Sequence, residues 1–135
     1  MSEPVWNLER ARKYLEGGRA FRSLLRVSAR QLTTSTEWTS DNGSRLTALA
    51  GDWLLETYGS TWTVNADVFE RTYEKQADGT YLKIVAVTAR KLTTEVDIVT
   101  LEGIAHALPG DWLVCNPAGD VWPVNAEEFS RRYGE

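Results

Sequence analysis

Two stretches of this 135-residue chain carry the same chemistry-bearing residues. "ALAGDWLLE" begins at residue 48 and "ALPGDWLVC" at residue 107, so Asp52-Trp53 and Asp111-Trp112 each follow a glycine. Upstream of each stands an arginine, Arg30 or Arg90, inside the shared string V-[ST]-A-R-[QK]-L-T-T. A guanidinium fork matches the two oxygens of a carboxylate or phosphate, so these arginines are candidate anion clamps. The alternative is a fixed ion pair with the repeated aspartate of the same stretch. A small interior has little room for an unpaired charge, so the ion pair is the expected outcome. Asp52 and Asp111 have a second use, hydrogen bonding to the backbone of the turns they sit in. Trp53 and Trp112 are core residues by type, or else flat platforms on which a base or sugar ring stacks.

Three more reactive groups lie in or just before the second stretch. His106 is the only histidine, and Glu102 stands four residues before it. With Asp111 these give a possible acid/base set for a small enzyme. They do not make a metal site, because Glu102 and His106 fall on a hairpin rather than on one helix face. Cys115 is the only cysteine and has no basic neighbour upstream to favour its thiolate. The chain contains no G-x-S-x-G elbow, Walker loop or C-x-x-C pair, so none of these reactions is signalled. No metal and no cofactor is expected.

The elements that must position these groups occur twice. "FRSLLRVSARQLTT" (21–34) aligns with "YLKIVAVTARKLTT" (81–94), and "VNADVFERTY" (64–73) with "VNAEEFSRRY" (124–133). Internal similarity on this scale reads as a tandem duplication. Each copy alternates in the manner of short strands, with hairpin signals at Asn42-Gly43 and Glu102-Gly103. Alternation puts Trp62 and Trp122 among the buried residues. Asn65 and Asn125 then cap short helices that carry Phe69 and Tyr73, or Phe129 and Tyr133, on one face. Glu128, at the third helical position, completes a pattern like a capping box.

The predicted fold is α+β and mainly β: two tandem five-stranded units, each a small barrel or curled sheet closed by a C-terminal helix. Residues 1–20 form an N-terminal helix that covers a sheet edge of the first copy. The repeat units are 21–74 and 81–135, and 75–80 is a linker. A single unit is too small to bury much core alone, so the copies are expected to pack about an approximate twofold axis.

The second copy resembles the PGDYG-type domain of bacterial and phage proteins. Thr100, Glu102, Gly103, Pro109, Gly110, Asp111, Trp112, Gly119, Trp122, Pro123, Val124, Phe129 and Tyr133 carry the resemblance. It implies a small β-rich unit and no particular reaction. The G-D-W-L strand opening is also similar to small barrels of the PUA and ASCH type, which implies RNA or nucleotide binding.

Composition narrows the classes further. The net charge is -4, which disfavours sequence-blind binding to a phosphate backbone. A lone cysteine fits a reducing compartment, and the first residues show no apolar signal core, so the expectation is a cytoplasmic protein with no membrane partner. The function read from these residues is a non-enzymatic binding or interaction module. Its ligand is a partner protein or a small anionic molecule, and Arg30, Arg90, Asp52, Asp111, Trp53, Trp112, Glu102 and His106 are the candidate site residues. Nucleotide binding is the first alternative, and an enzyme using Glu102, His106 and Asp111 the second.

Overall fold

A computed structural model describes residues 5–134, apart from 24, 40–42, 58–59 and 118. After helix α1 (Leu8–Leu15) and strand β1 (Arg19–Phe21), the first half runs β2 (Arg26–Gln31), β3 (Thr36–Thr39), β4 (Arg45–Ala48), β5 (Trp53–Thr57), β6 (Ser60–Val64) and α2 (Ala66–Thr72). A hairpin of β7 (Tyr73–Lys75) and β8 (Tyr81–Lys83) follows. The second half then runs β9 (Val87–Lys91), β10 (Val96–Thr100), β11 (Gly103–Ala107), β12 (Trp112–Cys115), β13 (Val121–Val124) and α3 (Ala126–Tyr133). The protein is mainly β with three helices among the described residues. Asn42 of the first hairpin signal lies outside the described residues.

Aligned positions make aligned pairings. β5 pairs β6 with Trp53 opposite Val64 and Leu55 opposite Trp62, and β12 pairs β13 with Trp112 opposite Val124 and Val114 opposite Trp122. Arg30 faces Leu54 across β2–β5 as Arg90 faces Leu113 across β9–β12. Gly51 and Gly110 open β5 and β12 at φ 98° and 95°, a backbone region in which a Cβ is strained. Their N–H groups donate to the Leu32 and Leu92 carbonyls, both at 2.8 Å.

The first strand of each half pairs with the other half. β1 lies against β9 with Phe21 opposite Val87, and β8 lies against β2 with Tyr81 opposite Val27. The two large sheets therefore have the orders β1-β9-β12-β13 and β6-β5-β2-β8-β7. Neither closes into a barrel, which corrects that form of the expectation. Barrel closure needs long, staggered strands, whereas β1, β7 and β8 have three residues each. The β3–β4 and β10–β11 hairpins stay separate two-stranded sheets. They meet each other instead, where the Thr47 N–H donates to the Glu102 carbonyl at 2.9 Å.

An exchanged aromatic ring completes each core. In one cluster Trp53 stacks on Phe69 at 4.3 Å between centroids, and Tyr81 leans on both. In the other Trp112 stacks on Phe129 at 4.1 Å, and Phe21 meets both edge-on. Phe129 is fully buried and Phe69 nearly so, and each such side chain contributes about 1.5–3 kcal/mol of burial. Helix α1 packs on the second half, not on the edge of the first as expected. Its Ala11 and Leu15, with Trp6, join Leu92, Ile98 and Leu113 in one cluster. The segment before α1 holds it there: the Trp6 N–H donates to the Asp97 carbonyl, and the Val99 N–H to the Trp6 carbonyl.

Candidate functional site

Asp52 and Asp111 are both buried, and both serve the turn before their strand. Leu49 N–H donates to Asp52 Oδ2 at 2.9 Å, and Leu108 N–H to Asp111 Oδ2 at the same distance. Asp52 Oδ1 also accepts from the Ala66 N–H at 2.9 Å, tying the turn to the start of α2. The expected ion pairs with arginine do not form. Arg30 and Arg90 project from the exposed face of their strands, away from the aspartates. Arg90 donates to the Tyr14 carbonyl at 3.0 Å and lies over the Tyr14 ring at 4.2 Å. Arg30, on the half that α1 does not cover, has no such partner among the described residues. Trp53 and Trp112 offer no free face toward Phe69 and Phe129, because those rings already lie flat on them.

Sequence alternation places Trp62 and Trp122 in the core. Both are only half-buried and stand on the wall of a cavity of about 150 Å³ between the halves. The cavity runs along β6 and β13, with β8, α3 and the two hairpins closing round it. Among the described residues its charged wall residues are Lys83, Glu102, His106, Asp120, Glu128 and Arg132, all from residues 81–134.

Lys83 is the least expected of these. Its side chain comes in on the exchanged strand β8, directly across from Tyr73. The residue is only 6% exposed. Nζ lies 4.8 Å from the Trp122 ring centre and 5.6 Å from that of Tyr73. Among the described residues it makes no ion pair and no hydrogen bond. Burial, and then the positive charge of Arg132, bring its pKa down to about 7, against a smaller opposing pull from Asp120.

The other charges are already engaged. Glu128 is buried and accepts from Ser60 Oγ at 2.6 Å and from Arg132 Nε at 2.9 Å. Arg132 in turn covers the Trp62 ring at 3.8 Å. Glu102 accepts a short hydrogen bond from Thr63 Oγ1 across the seam. Burial pushes its carboxyl up to about 7 in spite of that bond. His106 is clamped by Asp97 at Nδ1, 2.5 Å away, and by Glu95 at Nε2, 2.6 Å away. The hydrogen bond to Asp97 is the main reason its pKa rises. Asp120 receives a 3.4 Å bond from Asn116 and is helped by its own backbone N–H, but burial still raises its pKa. Among the described residues its Oδ1, like Asn116 Oδ1, is buried with no donor. Buried acceptors without donors are rare enough to require a reason.

The proposed acid/base set is thus split. Glu102 and His106 both reach the cavity wall, while Asp111 belongs to its turn and is not on that wall. The hairpin registers place Thr47 at the position equivalent to His106: Thr47 faces Glu37, and His106 faces Asp97. Cys115 is half-buried, its Sγ donates to the Asn116 carbonyl, and burial raises its pKa. That is the opposite of a poised nucleophile.

Lys83, Asp120, Trp62 and Trp122 are the site residues that spacing alone does not single out. One signal was present for the lysine. Tyr81 and Lys83 are two apart on a strand and share a face. Tyr81 aligns with Phe21, an apolar residue, so that face points inward and the lysine with it.

Among the described residues, no group of His, Cys, Asp and Glu is arranged to hold a metal ion, and no helix is long and apolar enough to cross a membrane. Comparison with protein-family models, curated proteins and solved structures finds no match to this chain.

Proposed function

We propose that this protein is a non-enzymatic binding module whose ligand, a small anionic molecule with a flat apolar body, occupies the cavity between the halves. The observation that carries this reading is the buried, unpaired amine of Lys83 between two aromatic rings on the cavity wall. Burying an ammonium without a partner costs several kcal/mol, and a ligand carboxylate or phosphate would supply the missing charge-assisted hydrogen bond. The volume, about 150 Å³, matches a single ring: a cavity of that order holds benzene in another protein. Trp62 and Trp122 flank the space at aligned positions, so a flat molecule would lie along rings from both halves.

The same reading takes the two halves as copies of one ancestral unit about a pseudo-twofold axis. Its support is the reciprocity of the exchanged pairs, Phe21–Val87 and Tyr81–Val27. A partner protein is the second reading. Leu8, Val99 and Leu101 are 39%, 41% and 62% exposed along a shallow groove beside α1 and α2, and an exposed apolar cluster is what a docking partner covers.

Calorimetry with benzoate and its neutral analogue benzamide tests the main reading. Benzoate should bind and benzamide should not, with tighter binding below pH 7, where Lys83 is protonated, than above it. Lys83→Met should abolish the difference. Equal affinity for the two compounds, or a Lys83→Met variant that binds benzoate as well as the native chain, would overturn it.

A further inference from the structure

We propose that Lys83 forms a reversible imine with a small aldehyde or ketone lodged in this cavity, so that the module captures carbonyl compounds covalently. The inference rests on the reading above for cavity occupancy and adds the reaction class.

The geometry meets what an imine needs. The amine is presented to a partly open, aromatic-walled space and, among the described residues, is not tied to any carboxylate. Trp122 and Tyr73 flank it, limiting the water that would hydrolyse the product. The groups around it are Arg132 and Glu128 from α3, Tyr73 from β7, Asp120 beside β13, and Glu102 and His106 from the β10–β11 hairpin. Glu128 is held by Arg132 and Arg131, the charge of Arg132 still bears on Lys83, and His106 is paired with Asp97 and Glu95. Asp120 is left as the group able to exchange a proton with the reaction through water: its Oδ1 has no hydrogen-bond partner among the described residues, and its charge acts on Lys83. Because the amine is held near 7, a large share of it is neutral at physiological pH. An exposed lysine is almost wholly protonated there.

The steps balance without any oxidant or reductant. The Nζ lone pair attacks the carbonyl carbon, the C=O π pair moves to oxygen, and a proton passes from nitrogen to that oxygen to give a carbinolamine. Asp120 relays the remaining nitrogen proton, through water, to the hydroxyl, which leaves as water as the C=N bond forms. The net change is amine plus carbonyl to imine plus water, and the reverse sequence releases the ligand.

The test uses the full chain, 4-carboxybenzaldehyde as probe and sodium cyanoborohydride to trap any imine, with peptide mapping by mass spectrometry. The chain has three other lysines, Lys13, Lys75 and Lys91, all exposed, so each sample contains its own control. At a pH of about 8, Lys83 should be labelled roughly tenfold or more in excess of each of them. Label shared among the exposed lysines, or absent from Lys83, overturns the proposal. Benzoate calorimetry on the same preparation separates the two readings. Benzoate binding without Lys83 labelling sinks the imine alone, whereas loss of both sinks the anion site as well.

Discussion

In the first half Trp53 lies on Phe69 with Tyr81 against them; in the second Trp112 lies on Phe129 with Phe21 against them. The cavity wall is treated differently by the two halves. Where the second half has Lys83, His106, Asp120, Glu128 and Arg132, the aligned residues of the first are Ser23, Thr47, Ser60, Val68 and Thr72. Among the described residues the first half gives the cavity Trp38, Trp62, Tyr73 and hydroxyl groups, but no charge. The frame is held in common while the polar chemistry sits on one side. On the proposed reading, a seam built this way would hold one asymmetric site, not two equivalent ones. That favours a ligand with a charged end and an apolar end.

The largest effects should come from breaking the shared frame. Phe129→Ala and Phe69→Ala each remove a ring sandwiched in its cluster, and each should cost about 3–5 kcal/mol in urea denaturation. Phe129 should lie at the upper end, because its half also carries the cluster under α1. A cost below ~1 kcal/mol at either site would mean that the two clusters are not equivalent supports. The exchange gives a sharper version. A chain cut in the Asp78–Gly79 turn should leave neither piece folded alone, since each lacks a strand of its own sheet. Mixing the pieces should restore the native circular dichroism.

Next in size is the effect of pH on stability, where Lys83 and Glu102 act in different windows. Glu102 is raised in the folded state from 4.5 to about 7. The folded protein therefore holds the extra proton between those values, and stability falls as pH rises through them. Lys83 is lowered from 10.5 to about 7. There the unfolded chain holds the extra proton, so stability rises from pH 7 toward 10.5. Together they predict a stability minimum near pH 7 in thermal melts. Glu102→Gln should flatten the acid side of it and Lys83→Met the alkaline side. A profile with no dip near neutrality, or one that neither variant changes, would contradict these environments.

The smallest difference separates the two arginines. Arg90→Ala loses a hydrogen bond and a contact with the Tyr14 ring and should cost about 1 kcal/mol. Arg30→Ala, at the aligned but uncovered position, should stay within about 0.5 kcal/mol. Equal costs would return the two residues to a common role.

Much of the frame was legible in the sequence, because it is written twice in local signals: Gly-Asp at a strand entrance, Asn before a helix, and aromatic residues four apart. The turn bonds of Asp52 and Asp111 follow from chemistry within a few residues. Three things were not legible. Which strand β1 and β8 would join depends on partners some sixty positions away, and alternation specifies a strand's faces but not its neighbour. Trp62 and Trp122 do alternate inward and pack against the core clusters, yet each also borders the cavity and stays half-buried. The arginine–aspartate pairing failed because Asp52 and Asp111 were already committed to nearby backbone N–H groups, which cost less chain entropy to reach than a side chain on another strand.

The most direct test of the account is the ionisation of Lys83 itself. Heteronuclear NMR of the lysine side chains follows all four amines through a pH titration, first alone and then with benzoate. Lys83 should titrate near 7 in the free protein, well apart from Lys13, Lys75 and Lys91, and should move upward when the anion is added. A Lys83 that titrates with the other three near 10.4 and does not respond to benzoate would place the amine in water. The seam cavity would then lack the buried amine on which the anion site rests.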